Sequence, residues 1–180
     1  MGLQRSGTNW INQLIKLNFC IETHDEPMAP FFKHAMPDET IWRAYANNAE
    51  VSTPVPEAYI GTHPDEIFIL VVKEKQKWIE SILRNPADLK QKRPVIFNNG
   101  AIDVLKASAL YDFYHNRWSK LNYHNLLFVS YETVLSDVNS FLRGISILFG
   151  LERKRKKWEN PSKVPRSKPF TESDKKRYLS

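Results

Sequence analysis

Two short runs of this chain are apolar at every position: Ile67-Phe68-Ile69-Leu70-Val71-Val72 and Leu126-Leu127-Phe128-Val129. A strand with one wet face alternates apolar and polar residues. Runs without alternation must be covered on both faces, as the strands of parallel sheets are. Parallel neighbours need long crossovers, which helices usually supply. Helical spacing is present around both runs. Trp10, Ile11, Leu14 and Ile15 make one apolar face, and Trp78, Ile79, Ile82 and Leu83 a second. A longer segment sets Ile102, Leu105, Ala109, Leu110, Phe113, Tyr114, Trp118 and Leu121 on one side. A fourth helix, through Val138, Phe141, Leu142, Ile145, Leu148 and Phe149, is entered at Ser136-Asp137 as N-cap and closed by Gly150. This alternation predicts an α/β fold: a three-layer α/β/α arrangement with a mostly parallel central sheet.

Proline-rich stretches at 27–37 and 52–64 predict extended or looped chain. With 180 residues and no evident linker, a single domain over 1–180 is expected. An apolar content of 42% with 26% charged residues is globular and excludes collagenous and disordered classes. No apolar run reaches the ~20 residues of a membrane span. The N-terminus carries no signal-peptide pattern, and the single cysteine, Cys20, can form neither an internal disulfide nor a cysteine metal cage. A soluble, cytoplasmic protein is expected, with no membrane partner.

Charge is uneven. The segment 151–180 holds eleven Lys/Arg and four Asp/Glu, so it carries +7 of a chain whose net charge is +6. It is expected to be a loosely packed, solvated end. The remainder is slightly acidic, which argues against a nucleic-acid-binding domain.

Ahead of the first helix stands Gly2-Leu3-Gln4-Arg5-Ser6-Gly7-Thr8-Asn9. Two glycines five apart let backbone N–H groups turn inward around an anion, and the helix start adds its own unpaired donors and positive dipole end. Ser6 and Thr8 add hydroxyls, and Arg5 a permanent cation. A nucleoside-triphosphate loop would carry Lys and Ser/Thr where Thr8 and Asn9 stand, so kinase-type phosphate and magnesium contacts are missing. A turn that merely caps a helix is the plainer interpretation of so short a pattern.

The loop Gln4-Arg5-Ser6-Gly7-Thr8-Asn9-Trp10 resembles the 5′-phosphosulfate motif, P-[KR]-S-G-T-T-[WL], of sulfotransferases that use 3′-phosphoadenylyl sulfate (PAPS). The likeness implies a P-loop-like fold, with Arg5 near the transferring sulfuryl group. It also implies that Ser6, Gly7, Thr8 and Asn9 hold the 5′-phosphate while Trp10 lies against adenine. The family's second motif, a basic residue at the end of the central strand and a serine eight residues later, is matched by Lys73 and Ser81. Its lysine form resembles a small bacterial and phage branch, and these two residues would bind the 3′-phosphate. Leu126–Ser130 with Tyr131-Glu132 resembles the family's strand-Y-E segment, whose role would be to organise the sheet end. Residues 35–60 and 86–120 match nothing in the family.

The resemblance implies in-line sulfuryl transfer from PAPS to a hydroxyl or amine, with 3′-phosphoadenosine 5′-phosphate (PAP) as product. Lys33-His34 resembles the W-K-H segment of the bacterial branch, and Thr62-His63 the T-H of a cytosolic motif. His34 is preferred to His63 as the base, with Lys33 or Arg5 facing the sulfuryl oxygens. No metal-ligand spacing stands out, and no metal is expected. The acceptor would be a small molecule or carbohydrate, its identity unreadable along with the oligomeric state. A P-loop kinase for a small metabolite and a non-catalytic nucleotide- or nucleic-acid-binding module are the alternatives.

Overall fold

A computed structural model describes residues 7–22, 56–84 and 96–161. Along the chain these form α1 (Thr8–Asn18), α2 (Pro56–Thr62), β1 (Phe68–Val72), α3 (Lys75–Leu83), β2 (Phe97–Asn98), β3 (Ala101–Ile102), α4 (Val104–Trp118), β4 (Leu126–Ser130), α5 (Tyr131–Ser136) and α6 (Val138–Phe149). The two apolar runs are the strands β1 and β4, and they pair in parallel, from Phe68 opposite Leu126 to Val72 opposite Ser130. The fold is therefore α/β, with a small parallel sheet. Among the described residues no helix is long and apolar enough to cross a membrane.

Burial follows the period of two that a doubly covered strand requires. Phe68 and Leu70 enter a cluster with Trp78, Ile79, Ile82 and Leu83 of α3 and Leu110, Tyr114 and Trp118 of α4. Val71, of opposite parity, enters a second cluster with Trp10, Ile11, Leu14 and Ile15 of α1 and Leu142 and Ile145 of α6, joined by Val129 of β4. The apolar faces expected of α1 and α3 are thus the buried ones. Cover is less complete on β4, where Phe128 remains 40% exposed.

The local stop and start signals are visible. The Asp137 carboxylate accepts from the Ser140 N–H (2.9 Å). At the other end of α6, Gly150 takes the left-handed conformation (φ 61°) that closes a helix. Asp103 caps α4 by accepting from the N–H groups of Leu105 (3.0 Å) and Lys106 (3.1 Å).

Three expectations are corrected. Residues 52–64 are not all loop, because Pro56 opens α2: at the first helical position its missing N–H would have had no partner anyway. The buried side of α4 runs through Ala107, Leu110, Tyr114 and Trp118, while Leu105 (82% exposed) and Phe113 lie outside it; Ile102 belongs to β3. Leu148 of α6 is likewise exposed. Residues 151–161 are largely exposed and are tied to the end of α1. Phe19 bridges Arg153, the Lys154 N–H donates to the Asn18 carbonyl (2.9 Å), and the Lys154 ammonium caps the Lys16 carbonyl at the end of α1 (2.8 Å). Trp158 packs on Phe19 and carries the Arg153 guanidinium on its face, 3.7 Å from the ring centroid.

Asn18 is the pivot of that clasp. Its side-chain amide donates to the carbonyls of Leu14 and Glu159 (2.7 Å each) and its oxygen accepts from the Glu159 N–H (2.8 Å). Asn18→Ala strands both backbone groups of Glu159, and at ~1 kcal/mol per bond it should cost roughly 2–3 kcal/mol. Urea unfolding measures the loss, and trypsin should cut the Arg153–Lys157 run faster. Unchanged stability and cleavage would show that the clasp contributes nothing.

Candidate anion-binding site

The site lies at the carboxyl end of the parallel pair, where open α/β sheets hold ligands. Ser130, the last residue of β4, caps α5 by accepting from the Thr133 N–H (3.3 Å), so the strand turns directly into a helix. That turn buries the ring of Tyr131 at the strand end. Three groups meet the ring. A Cβ on Gly7 would stand 2.3 Å from its Cδ2. The indole of Trp10 lies edge-to-face with it at 5.9 Å. The Lys73 ammonium sits 5.3 Å from its centroid, within cation–π range. The start of α1 and the residue following β1, matched to separate motifs, are thus brought against one side chain.

Gly7 takes φ 95°, a left-handed conformation that few other residues adopt, and its carbonyl accepts from the N–H groups of Trp10 and Ile11 (3.1 Å each). The amides of Thr8 and Asn9 have no intrahelical carbonyl to meet, and they stand at the positive end of the helix dipole. Thr8 is buried and Asn9 exposed. Trp10 is 3% exposed, a core residue and not the open stacking face that a ring ligand needs.

Lys73 follows β1 immediately and leads into α3, for which Glu74 is the N-cap residue. The Lys73 carbonyl accepts from the Tyr111 hydroxyl of α4 (2.5 Å), and the Glu74 N–H donates to Oε2 of Glu132 on α5 (3.2 Å). Burial first, then the carboxylates of Glu132, Asp112 and Glu74, push the Tyr111 hydroxyl above its ordinary pKa, so it remains a donor. Burial, with a smaller contribution from Glu132, does the same for Tyr131. Lys75 pairs with Asp112 (2.6 Å) and Lys77 with Glu74 (2.7 Å), both solvated helix positions. Ser81 is half-buried on α3, roughly 9 Å along the helix axis from Lys75.

His63 is not brought to this site. It follows α2, ahead of β1, and its carbonyl accepts from the side-chain amide of Asn125, which precedes β4 (2.9 Å). Both strands run the same way, so His63 stands at their amino end, roughly 13 Å or more from Lys73. Its Nδ1 contacts the Tyr59 carbonyl (2.9 Å) and the Thr62 hydroxyl (3.0 Å), and its ring stacks on Tyr59 at 3.7 Å. Arg5, Ser6, Lys33 and His34 lie outside the described residues. Among the described residues no group of three or more His, Cys, Asp or Glu is placed to hold a metal. No protein-family model, curated protein or solved structure matches the chain.

Two residues of the site went unread or under-read in the sequence. Tyr111 falls within the unmatched stretch 86–120, and although its helical phase marks it as inward-facing, nothing in the phase names its partner. Glu132 stood only as an organiser of the sheet end, without a bonding partner.

Gly7→Ala should destabilise the fold, because left-handed strain of about 1–3 kcal/mol adds to a clash with a buried ring. Thermal unfolding should register at least ~2 kcal/mol, and Tyr131→Ala in the same chain should recover part of it. A neutral Gly7→Ala would remove the close approach from consideration.

His115 packs its ring against Tyr111 (4.0 Å) and is held down to about pKa 4, because burial opposes its charge more than Asp112 favours it. Between about pH 6.5 and 4 the unfolded chain therefore binds a proton that the folded chain does not. Stability should fall as pH drops through that window, then lose this dependence below it. In urea titrations against pH, His115→Gln should flatten the slope by up to about one proton. Parallel curves for the two proteins would refute the assignment.

Proposed function

We propose that this chain is a PAPS-dependent sulfotransferase, a soluble cytoplasmic enzyme with a P-loop-like, three-layer domain. The observation that carries the reading is the meeting of Gly7 and Lys73 on the Tyr131 ring. It gives one ligand with two phosphates a pair of anion-favouring groups at a single end of the parallel strands. The amides at the start of α1 would take the 5′-phosphate, with Ser6, Thr8 and Asn9, and Lys73 with Ser81 the 3′-phosphate. An acceptor oxygen or nitrogen attacks sulfur in line, and the bond from sulfur to the bridging phosphate oxygen breaks. His34 takes the acceptor's proton while Arg5 neutralises charge on the departing phosphate. The position of His63 at the opposite end of the strands favours His34 for the base.

Calorimetric titration of the whole chain with PAP, adenosine 5′-phosphosulfate and magnesium ATP tests this. PAP should bind tightest. Lys73→Ala should weaken PAP by about ten- to a hundredfold, the worth of a charge-assisted hydrogen bond, and leave adenosine 5′-phosphosulfate nearly unchanged. Preference for ATP, or no nucleotide binding, would overturn the proposal.

A further inference from the structure

The peptide unit joining Lys73 to Glu74 is gripped at both polar ends: its carbonyl by the Tyr111 hydroxyl at 2.5 Å, its N–H by the Glu132 carboxylate at 3.2 Å. The two grips come from different elements, α4 and α5. This peptide lies just past the β1–β4 ladder, whose last pair is Val72 with Ser130, and just before α3. Neither Lys73 nor Glu74 belongs to β1 or α3, so side chains meet the polar groups of this peptide where a ladder or a helix would otherwise do so. Tyr111 is itself braced, against His115 (4.0 Å) and Trp78 (5.6 Å). Among the described residues, the other Glu132 oxygen is buried and meets no hydrogen-bond donor.

We infer that Tyr111 and Glu132 are positioning residues: by clamping the Lys73–Glu74 peptide they aim the Lys73 ammonium at an anion bound beside the Tyr131 ring. A lysine has four side-chain rotors, and every degree of freedom left in its backbone adds to what an anion must order on binding. Fixing this one peptide sets the direction in which the side chain leaves the strand end. The identity of the anion, the 3′-phosphate, rests on the function proposed above. The clamp itself rests on the two hydrogen bonds.

Tyr111→Phe removes the carbonyl grip while keeping the ring against Trp78 and His115. Its stability should fall by no more than the worth of one hydrogen bond. PAP affinity should fall about two- to tenfold, the cost of ordering one long side chain on binding, while adenosine 5′-phosphosulfate affinity holds. Glu132→Ala should shift the same ratio and speed hydrogen exchange at the Glu74 amide. A folded Tyr111→Phe chain with an unchanged ratio, or one that weakens both nucleotides alike, overturns the inference and leaves the proposed function standing. An unaltered chain that binds neither nucleotide overturns both.

Discussion

Parallel pairing of β1 with β4 imposes the demands that the other described elements meet. Two strands running the same way cannot be joined by a tight turn, so α3, the β2–β3 hairpin and α4 intervene. Both faces of the pair need cover. Helices α3 and α4 supply it on the side of Phe68 and Leu70, α1 and α6 on the side of Val71 and Val129. The same pairing aligns the carboxyl ends of the strands, so the residues that follow them, Lys73 and Tyr131, become neighbours. Reversing the direction of either strand would send one of these two residues to the far end. The site is thus a consequence of strand polarity before it is a consequence of any side chain.

Much of the frame was legible because it is written locally. Unbroken apolar runs announced doubly covered strands, and the four-residue apolar sets of α1 and α3 announced their buried faces. Asp137 marked the start of α6 through its side-chain cap, and Gly150 its end through a left-handed conformation that few other residues adopt so readily. The hairpin was legible too and was passed over: Asn99 and Gly100 both take positive φ, 49° and 84°, the pattern of a primed turn for which Asn-Gly is the strongest short signal. The phase of α4 was misjudged for a different reason. Its segment holds more apolar residues than one face can bury, and which of them turn inward depends on where β1 and α3 lie.

The site was legible in its parts and not in its assembly. Gly7 and Lys73 each stood out through neighbours in sequence. Nothing within reach of either residue names Tyr131 as the ring they share, because that contact is fixed by the strand register and by the cap that turns β4 into α5. The partner of Tyr111 was unreadable for the same reason, since helical phase turns the side chain inward without naming what its hydroxyl meets. Trp10 carries two signals at once. Its place in the motif suggested a surface for a ligand, whereas helical spacing with Ile11, Leu14 and Ile15 already marked it as core.

The clasp at Asn18 has a bearing on biosynthesis. The residues it joins, Asn18 and Glu159, are 141 positions apart. At a ribosomal rate of about 5–20 residues per second, roughly 7 to 28 seconds pass between the emergence of one and the other. Tyr131, Leu142 and Ile145, which cover the same helix, are also made late. During that interval α1 is a short amphipathic segment whose buried face has little to pack against, and helices of this length are marginal alone in water. The element that begins at Gly7 is therefore among the last to be secured. Until residue 159 has been made, Trp10, Ile11 and Leu14 lack the cover that α6 and the clasp give them.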